Sequence, residues 1–282
     1  MMHALENFLF TYQSLIYALG VNSLLALSMY VVLAVGQLSL GQAAFMGVGA
    51  YSSALLTVKF GVPFPVALVV AAAAPSLLAF VIGAPTLRLS GVYLAIATIG
   101  LGEVLRIFFL NWDYAGGALG LNGIPEQAGF IWIFGALATA LTGLVAICRS
   151  RVGRAMEAIR ADEAAAGVMG VNLPVYKLAA LVLSAAIAGV AGAFNAHVSS
   201  FIGPNEYGFD AVVTILSFAL LGGIGSPFGP VLGALVLTAL PEVLRPLHDY
   251  RLVINGFIIV CVVIYLPGGL LPWRIGRIGA RK

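Results

Sequence analysis

The chain has 282 residues, of which 61% are hydrophobic and 9% are charged, and its mean hydropathy is +1.06. A soluble domain has about a quarter of its residues charged, so this sequence lacks the polar side chains needed to cover a water-facing surface. A soluble enzyme, a nucleic-acid-binding domain and a disordered chain are therefore excluded, and a multi-span membrane protein is predicted.

Nine apolar segments follow one another along the chain. Their ranges are 14–35, 42–58, 66–87, 91–110, 130–148, 178–198, 211–221, 231–244 and 252–266. A membrane-spanning helix needs about 20 apolar residues, so the first six predict spans, the third of them bent or broken by Pro75 and Pro85. The short seventh and eighth segments flank the Gly/Pro-rich stretch 222–230, which indicates half-helices or re-entrant elements. We expect an all-α polytopic membrane protein with eight to ten transmembrane helices, folded as one domain over residues 1–282.

The positions of the basic residues predict the topology. Four of them (Arg274, Arg277, Arg281 and Lys282) form the C-terminal tail, and five more flank or lie in the loop at about 149–177. By the positive-inside rule both regions are cytoplasmic, and the four segments between them give the required even number of crossings. This topology places the N-terminus, Lys59 and the loop 111–129 outside, and Arg88 inside.

The loop 149–177 is the one long polar stretch. Residues 155–166 are rich in helix formers, and Gly167 or Gly170 can end the helix. Glu157 and Glu163 are each three residues from Arg160, so either can pair with it on a helix. An apolar surface is predicted from Ala155, Met156, Ile159, Ala166 and Met169. It suits docking to a soluble partner, although an interfacial helix that only stabilises the loop fits the same pattern.

Four motifs carry a family resemblance. Residues 153–170 carry Gly153, Arg160, Glu163 and Gly170 at characteristic spacing, and residues 36–51, 87–103 and 222–234 carry three further Gly-rich motifs in order. Together they resemble branched-chain amino acid ABC importer permeases of the LivM type, whose early motif often has His in place of Gln42. The resemblance covers nearly the whole chain.

The resemblance implies a set of partners in a bacterial cytoplasmic (inner) membrane. These are a second permease of the LivH type, two cytoplasmic ABC ATPases, an external substrate-binding protein and membrane lipid, with no nucleic acid. No GxxxxGK[ST] pattern occurs in the chain, so ATP and Mg²⁺ are expected on the partner subunits, with no cofactor or metal bound by this chain and no enzymatic activity of its own.

The resemblance also assigns ATPase coupling to the loop. The residues concerned are Gly153, Arg154, Met156, Ala158, Ile159, Arg160, Glu163, Ala165, Ala166 and Gly170.

Candidate pathway residues come from the helix breaks, the Gly-rich motifs and one charge inside a span. They are Gln37, Ser39, Gln42, Tyr93, Thr98, Glu103 and Ser226. Five of them have a structural alternative: Gln37, Ser39 and Gln42 can cap a broken backbone, Glu103 can pair with Arg106 three residues on, and Ser226 can form a backbone turn.

The sequence thus predicts a permease subunit of an ATP-driven importer for branched-chain or related hydrophobic amino acids, working by alternating access. Two alternatives remain open at this point. One is an importer for urea or short amides, and the other is a self-sufficient channel or secondary transporter with Glu103 as the coupling residue.

Overall fold

The computed structural model describes residues 12–86, 89, 91–243, 256 and 269–270. Arg88, the predicted segment 252–266 except residue 256, and the basic tail 274–282 lie outside the described residues. Ten α-helices of six residues or more occur in the described part. They are α1 Gln13–Ala34, α2 Gln42–Phe60, α3 Phe64–Thr86, α4 Val92–Leu110, α5 Phe130–Arg149, α6 Arg151–Ala161, α7 Glu163–Val168, α8 Leu173–Ser199, α9 Phe209–Gly222 and α10 Phe228–Val243.

Six of these helices (α1 to α5 and α8) are long and apolar enough to cross a membrane, and each coincides with a predicted segment. Helices α9 and α10 are shorter, as the Gly/Pro-rich stretch between them indicates. The predicted all-α polytopic fold is therefore confirmed.

Helix α3 is not broken at its prolines. Of the two predicted alternatives, a bent or a broken segment, the second is therefore wrong. The helix runs continuously through Pro75 and Pro85. The residue after each proline donates a hydroxyl hydrogen bond to a carbonyl one turn back, Ser76 to Ala72 at 2.7 Å and Thr86 to Ile82 at 2.9 Å. These bonds go to the carbonyls next to those of Ala71 and Val81, which lose their usual helical donors because proline has no N–H group.

The core of the bundle is built around α8, which packs against α1, α2 and α3. Helix α1 also packs against α9 and α10, so it joins the two halves of the described bundle. Helices α1, α2 and α8 are mostly buried inside the chain, whereas α3, α4 and α5 leave most of their apolar surface uncovered. Uncovered apolar surface on a spanning helix is suited to contact with lipid or another membrane chain.

Glycine allows the central helices to approach to backbone contact. A Cβ atom at Gly192 of α8 would overlap the carbonyl oxygen of Met46 in α2, and one at Gly189 would overlap the carbonyl oxygen of Ala71 in α3. Membrane helices associate mainly through such close packing, because lipid supplies no hydrophobic driving force between them.

One end of the bundle is closed by the connections after α4 and α8. Strand β1 (Leu121–Asn122) pairs antiparallel with β2 (Phe201–Ile202), and a 3₁₀-helix, Pro204–Tyr207, follows. The Lys59 ammonium lies 5.3 Å from the centre of the Tyr114 ring at this end. Residue 59 and the loop 111–129, both predicted to be external, therefore lie at the same end as the connection after α8.

Replacement of Gly192 by Ala should destabilise the bundle, because α2 or α8 must move to accommodate the added methyl group. We expect a loss of about 1–3 kcal/mol, the usual cost of overpacking a core. The thermal midpoint of the detergent-solubilised protein measures it. Gly100→Ala is the matched control, since nothing lies within 4 Å of a Cβ at Gly100. Equal midpoints for the two variants would contradict the packing role of Gly192.

Candidate functional site

The polar loop between α5 and α8 forms two short helices where the sequence predicted one over 155–166. Helix α6 ends at Ala161, and Asp162 adopts an extended conformation with φ −156° and ψ 110°. The Asp162 Oδ1 atom accepts a hydrogen bond of 3.0 Å from the backbone N–H of Ala165 and so caps α7. The single predicted helix was wrong because this capping bond favours a new helix start over continuation. Gly170 follows α7 with φ +85°, in agreement with a predicted helix end there.

Helix α6 is set at a tight corner after α5. The Ser150 hydroxyl caps it by accepting a hydrogen bond of 3.1 Å from the Val152 N–H. A Cβ atom at Gly153 would lie 2.5 Å from the carbonyl oxygens of Ile147 and Cys148, so the corner leaves no room for a side chain. The absence of space for a Cβ atom therefore explains why the loop motif begins with a glycine, Gly153.

The apolar side of the loop faces the chain itself and not a partner. Met156, Ile159 and Ala166 are buried in the main hydrophobic core. The prediction that these three residues face a soluble partner was therefore wrong, whereas Ala155 of the same predicted surface is half-buried and Met169 is exposed. Val168 and Met169 are 91% and 84% exposed. Among the other predicted coupling residues, Gly153 and Arg160 are half-buried, while Arg154, Ala158, Glu163, Ala165 and Gly170 are exposed.

Arg160 joins the loop to two breaks between consecutive membrane helices. One is the connection 35–41 between α1 and α2, and the other is the turn 223–227 between α9 and α10. The Arg160 Nη1 atom donates a hydrogen bond of 3.0 Å to the carbonyl oxygen of Ile224, in the turn between α9 and α10. Its Cα atom lies 3.2 Å from the place of a Cβ at Gly36, which follows α1 with φ +78°. Sequence reasoning marked Arg160 but missed both contacts, because 64 residues separate Arg160 from Ile224.

Glu163 pairs with Lys177 of α8 and not with Arg160. The pairing expected on a continuous helix is lost, because the chain changes direction at Asp162 between the two residues. The Lys177 side chain is 11% exposed and the Glu163 side chain 53% exposed. The ion pair thus attaches α7 to the N-terminal part of α8. The lysine pays most of the desolvation cost because it is the more buried partner.

Five of the predicted pathway residues are buried inside the chain. They are Gln37, Ser39, Gln42, Thr98 and Ser226. The Thr98 hydroxyl accepts a hydrogen bond of 2.9 Å from the Leu40 N–H, and Gln42 Nε2 donates to the Ser184 hydroxyl at 3.3 Å. Ser184 also lies 3.1 Å from the Ser28 hydroxyl. Thr98 thus stabilises the chain reversal between α1 and α2, while Gln42 links α2 to α8.

Three polar atoms in this region have no hydrogen-bond partner within the described chain: Gln37 Oε1, Ser39 Oγ and Gln42 Oε1. Buried acceptors of this kind are costly unless a water or another group reaches them. They mark the α1–α2 reversal as one of the places in the described chain where buried side chains keep unused hydrogen-bonding capacity. Ser226 forms the expected backbone turn, with its carbonyl accepting a hydrogen bond from Gly229 at 3.1 Å.

Glu103 and Arg106 form the predicted ion pair on one face of α4, with Arg106 Nε 2.8 Å from Glu103 Oε2. Arg106 also donates to the Asn205 side chain at 3.0 Å, a contact that sequence reasoning did not anticipate. The pair therefore holds α4 against the 3₁₀-helix Pro204–Tyr207. Tyr93, on the same helix, is 74% exposed and contributes nothing to the interior.

A bundle of apolar helices whose polar loop contacts two breaks in those helices is the architecture of a multi-pass membrane permease. Comparison with known proteins gives the family. Residues 11–263 match the family model described as "Branched-chain amino acid transport system / permease component", and the chain belongs to that family.

Individual relatives agree with this assignment. The chain is 32% identical to the high-affinity branched-chain amino acid transport system permease protein LivM of Escherichia coli (strain K12), over 92% of this chain and 67% of that protein. It is 34% identical to the permease protein LivH of the same organism, over 52% of this chain and 48% of LivH. It is 30% identical to the permease protein BraD of Pseudomonas aeruginosa, over 57% of this chain and 53% of BraD. No solved structure matches the chain.

Replacement of Glu163 by Gln should destabilise the protein more than replacement of Lys177 by Met. The first change leaves a buried ammonium without its anion, at a cost of about 1–3 kcal/mol, whereas the second removes the buried charge itself. Thermal unfolding of both single variants and the double variant measures the difference. A Lys177→Met variant less stable than Glu163→Gln would contradict the cost assigned to the unpaired ammonium.

Proposed function

We propose that this chain is the permease subunit of an ATP-driven importer that carries branched-chain or related hydrophobic amino acids across a bacterial cytoplasmic membrane. Membership of the branched-chain permease family and the names of the relatives LivM, LivH and BraD support this substrate class. The chain itself carries out no chemical reaction in this proposal. It provides a path that opens alternately to the two sides of the membrane.

The proposed partners are a second permease, two cytoplasmic ATPases that bind ATP and Mg²⁺, and an external substrate-binding protein. Similarity to both LivM and LivH supports a pair of related permeases in one system. The uncovered apolar surfaces of α3, α4 and α5 offer room for a second membrane chain and for lipid. The exposed side of α6 and α7, which includes Val168 and Met169, is the surface offered to an ATPase.

The observation that carries the mechanism is the position of Arg160. Because Arg160 contacts both Ile224 and Gly36, a movement of α6 would displace two places at once. These are the α9–α10 turn and the α1–α2 reversal. Both are places where helices end, and a few residues at the ends of elements can absorb large backbone changes. Closure of the ATPases would therefore displace the ends of α1 and α9 together.

Uptake by the reconstituted complex tests the proposal. Proteoliposomes that contain the chain, its second permease and its ATPases should accumulate leucine only with external binding protein and internal ATP. Urea should neither be carried nor compete. Leucine uptake by this chain alone, driven by an ion gradient, would contradict the proposal and favour a secondary transporter. Uptake of urea in place of leucine would show that the substrates are urea or short amides.

Arg160→Ala should uncouple ATP hydrolysis from transport in the same complex. Loss of a charge-assisted hydrogen bond worth about 1.5–3 kcal/mol frees α6 from the α9–α10 turn, so we expect leucine uptake to fall by about tenfold or more. ATP hydrolysis should continue. Arg151→Ala, an exposed arginine at the start of the same helix, is the matched control and should transport normally. Normal uptake by Arg160→Ala would refute the coupling contact.

A further inference from the structure

A hollow of about 320 Å³ lies between α1, α9 and α10. It is within the size range of small-molecule sites, which begins at about 300 Å³. The helices that surround it include the middle of α1 and the middle of α9, so it lies at the depth of the membrane interior. It is separate from the buried polar residues of the α1–α2 reversal, none of which lines it.

Polar side chains from all three helices meet at this hollow. Asn22 of α1 donates a hydrogen bond of 2.9 Å to the hydroxyl of Thr238 in α10, and Thr214 and Ser217 come from α9. Each of these groups is hydrogen-bonded within the chain, but the carboxamide and the hydroxyls keep acceptor capacity that a polar ligand can use. Only the Asn22–Thr238 bond joins two helices here, because the two α9 hydroxyls bond to the backbone of their own helix.

The α9 hydroxyls belong to a polar strip that starts at one end of the bundle. Asp210, Thr214 and Ser217 are spaced by four and three residues, so they lie on one side of the helix. Asp210 and Thr214 are exposed and Ser217 is half-buried. The strip thus leads from the first turn of α9 into the hollow, and it is more polar than a surface in contact with lipid tails should be.

The remaining wall of the hollow is apolar. Val213 and Phe218 of α9 and Leu237 of α10 line it, and no charged side chain does so among the described residues. A site with neutral hydrogen-bonding groups on one side and aliphatic and aromatic groups on the other suits a small zwitterion with an aliphatic side chain. It disfavours a solute with net charge, for which no counter-ion is present.

We propose that this hollow contacts the amino acid in transit, with the polar strip of α9 as its approach from the external side. The α-ammonium and α-carboxylate meet the hydroxyls and the Asn22 carboxamide, and the branched side chain lies against Val213 and Phe218. This inference rests on the proposed function, because the importer supplies the substrate class.

Cysteine accessibility in the assembled complex tests the inference. Thr214→Cys and Ser217→Cys are made in a chain with Cys148→Ser and Cys261→Ser, and a charged methanethiosulfonate reagent is applied from outside. The matched control is Thr142→Cys on α5. Thr142 is also exposed, and its hydroxyl bonds to the carbonyl four residues back at 2.8 Å, as that of Thr214 does at 2.8 Å.

We expect both α9 cysteines to react at least about tenfold faster than the α5 cysteine, because the reactive thiolate forms in water and not in hydrocarbon. Leucine, with binding protein and ATP present, should slow the reaction at Ser217→Cys. Ser217→Phe should abolish leucine uptake by filling the hollow while leaving complex assembly and ATP hydrolysis in place, and Thr142→Phe should transport normally.

Reaction of the α9 cysteines no faster than that of the α5 cysteine would overturn the inference, since lipid or a partner side chain then fills the hollow. So would fast reaction without protection by leucine, or normal uptake by Ser217→Phe. Wild-type leucine uptake is measured first in the same preparation. If it is present while the hollow fails these tests, only the inference is lost, whereas absent leucine uptake counts against the proposed function itself.

Discussion

Every backbone N–H and C=O group that lies in hydrocarbon must find a partner inside the protein, and the architecture depends on this constraint. It explains why the apolar segments are helices and why each departure from helix is held by a particular side chain. Thr98 accepts the Leu40 N–H at the reversal between α1 and α2, and Arg160 donates to the Ile224 carbonyl in the turn between α9 and α10.

The need for hydrogen-bond partners also makes the breaks between helices suitable places for the backbone to change conformation. A backbone group held by one side-chain hydrogen bond can be released at lower cost than a group held within a continuous helix. In this chain one arginine of the polar loop contacts both breaks, so the loop reaches the bundle where the backbone is least restrained. The glycine contacts around α8 have the opposite effect, because helices in backbone contact have little freedom to shift separately.

Much of the fold could be predicted because long apolar segments leave few alternatives in a membrane. The six long spans and the two shortened helices follow from segment length and from the positions of Gly and Pro. The polar loop between α5 and α8 was only partly predictable. Its helical content and the end at Gly170 follow from composition, but the break at Asp162 depends on a local cap that competes with helix continuation, and both outcomes are compatible with the residues present.

The candidate site was less predictable, since it depends on which side of each helix faces the chain's own interior. Gln37, Ser39 and Gln42, which were predicted to line a pathway, are buried within this chain, and no sequence feature indicated that Asn22, Thr214, Ser217 and Thr238 line one hollow. Single hydroxyls and one carboxamide in four separate places form no motif. They come to line one hollow only when α1, α9 and α10 pack together.

By itself, the scarcity and clustering of charge determined that this chain is a multi-pass membrane protein with one long polar loop. It could do so because transfer of charged groups into hydrocarbon is unfavourable wherever they occur in the chain. The tertiary structure decided which side of that loop is free and that Arg160 contacts both helix breaks. It also decided which polar side chains share a hollow. These are contacts between residues far apart in sequence, and they depend on how the helices rotate and pack, which hydropathy does not record.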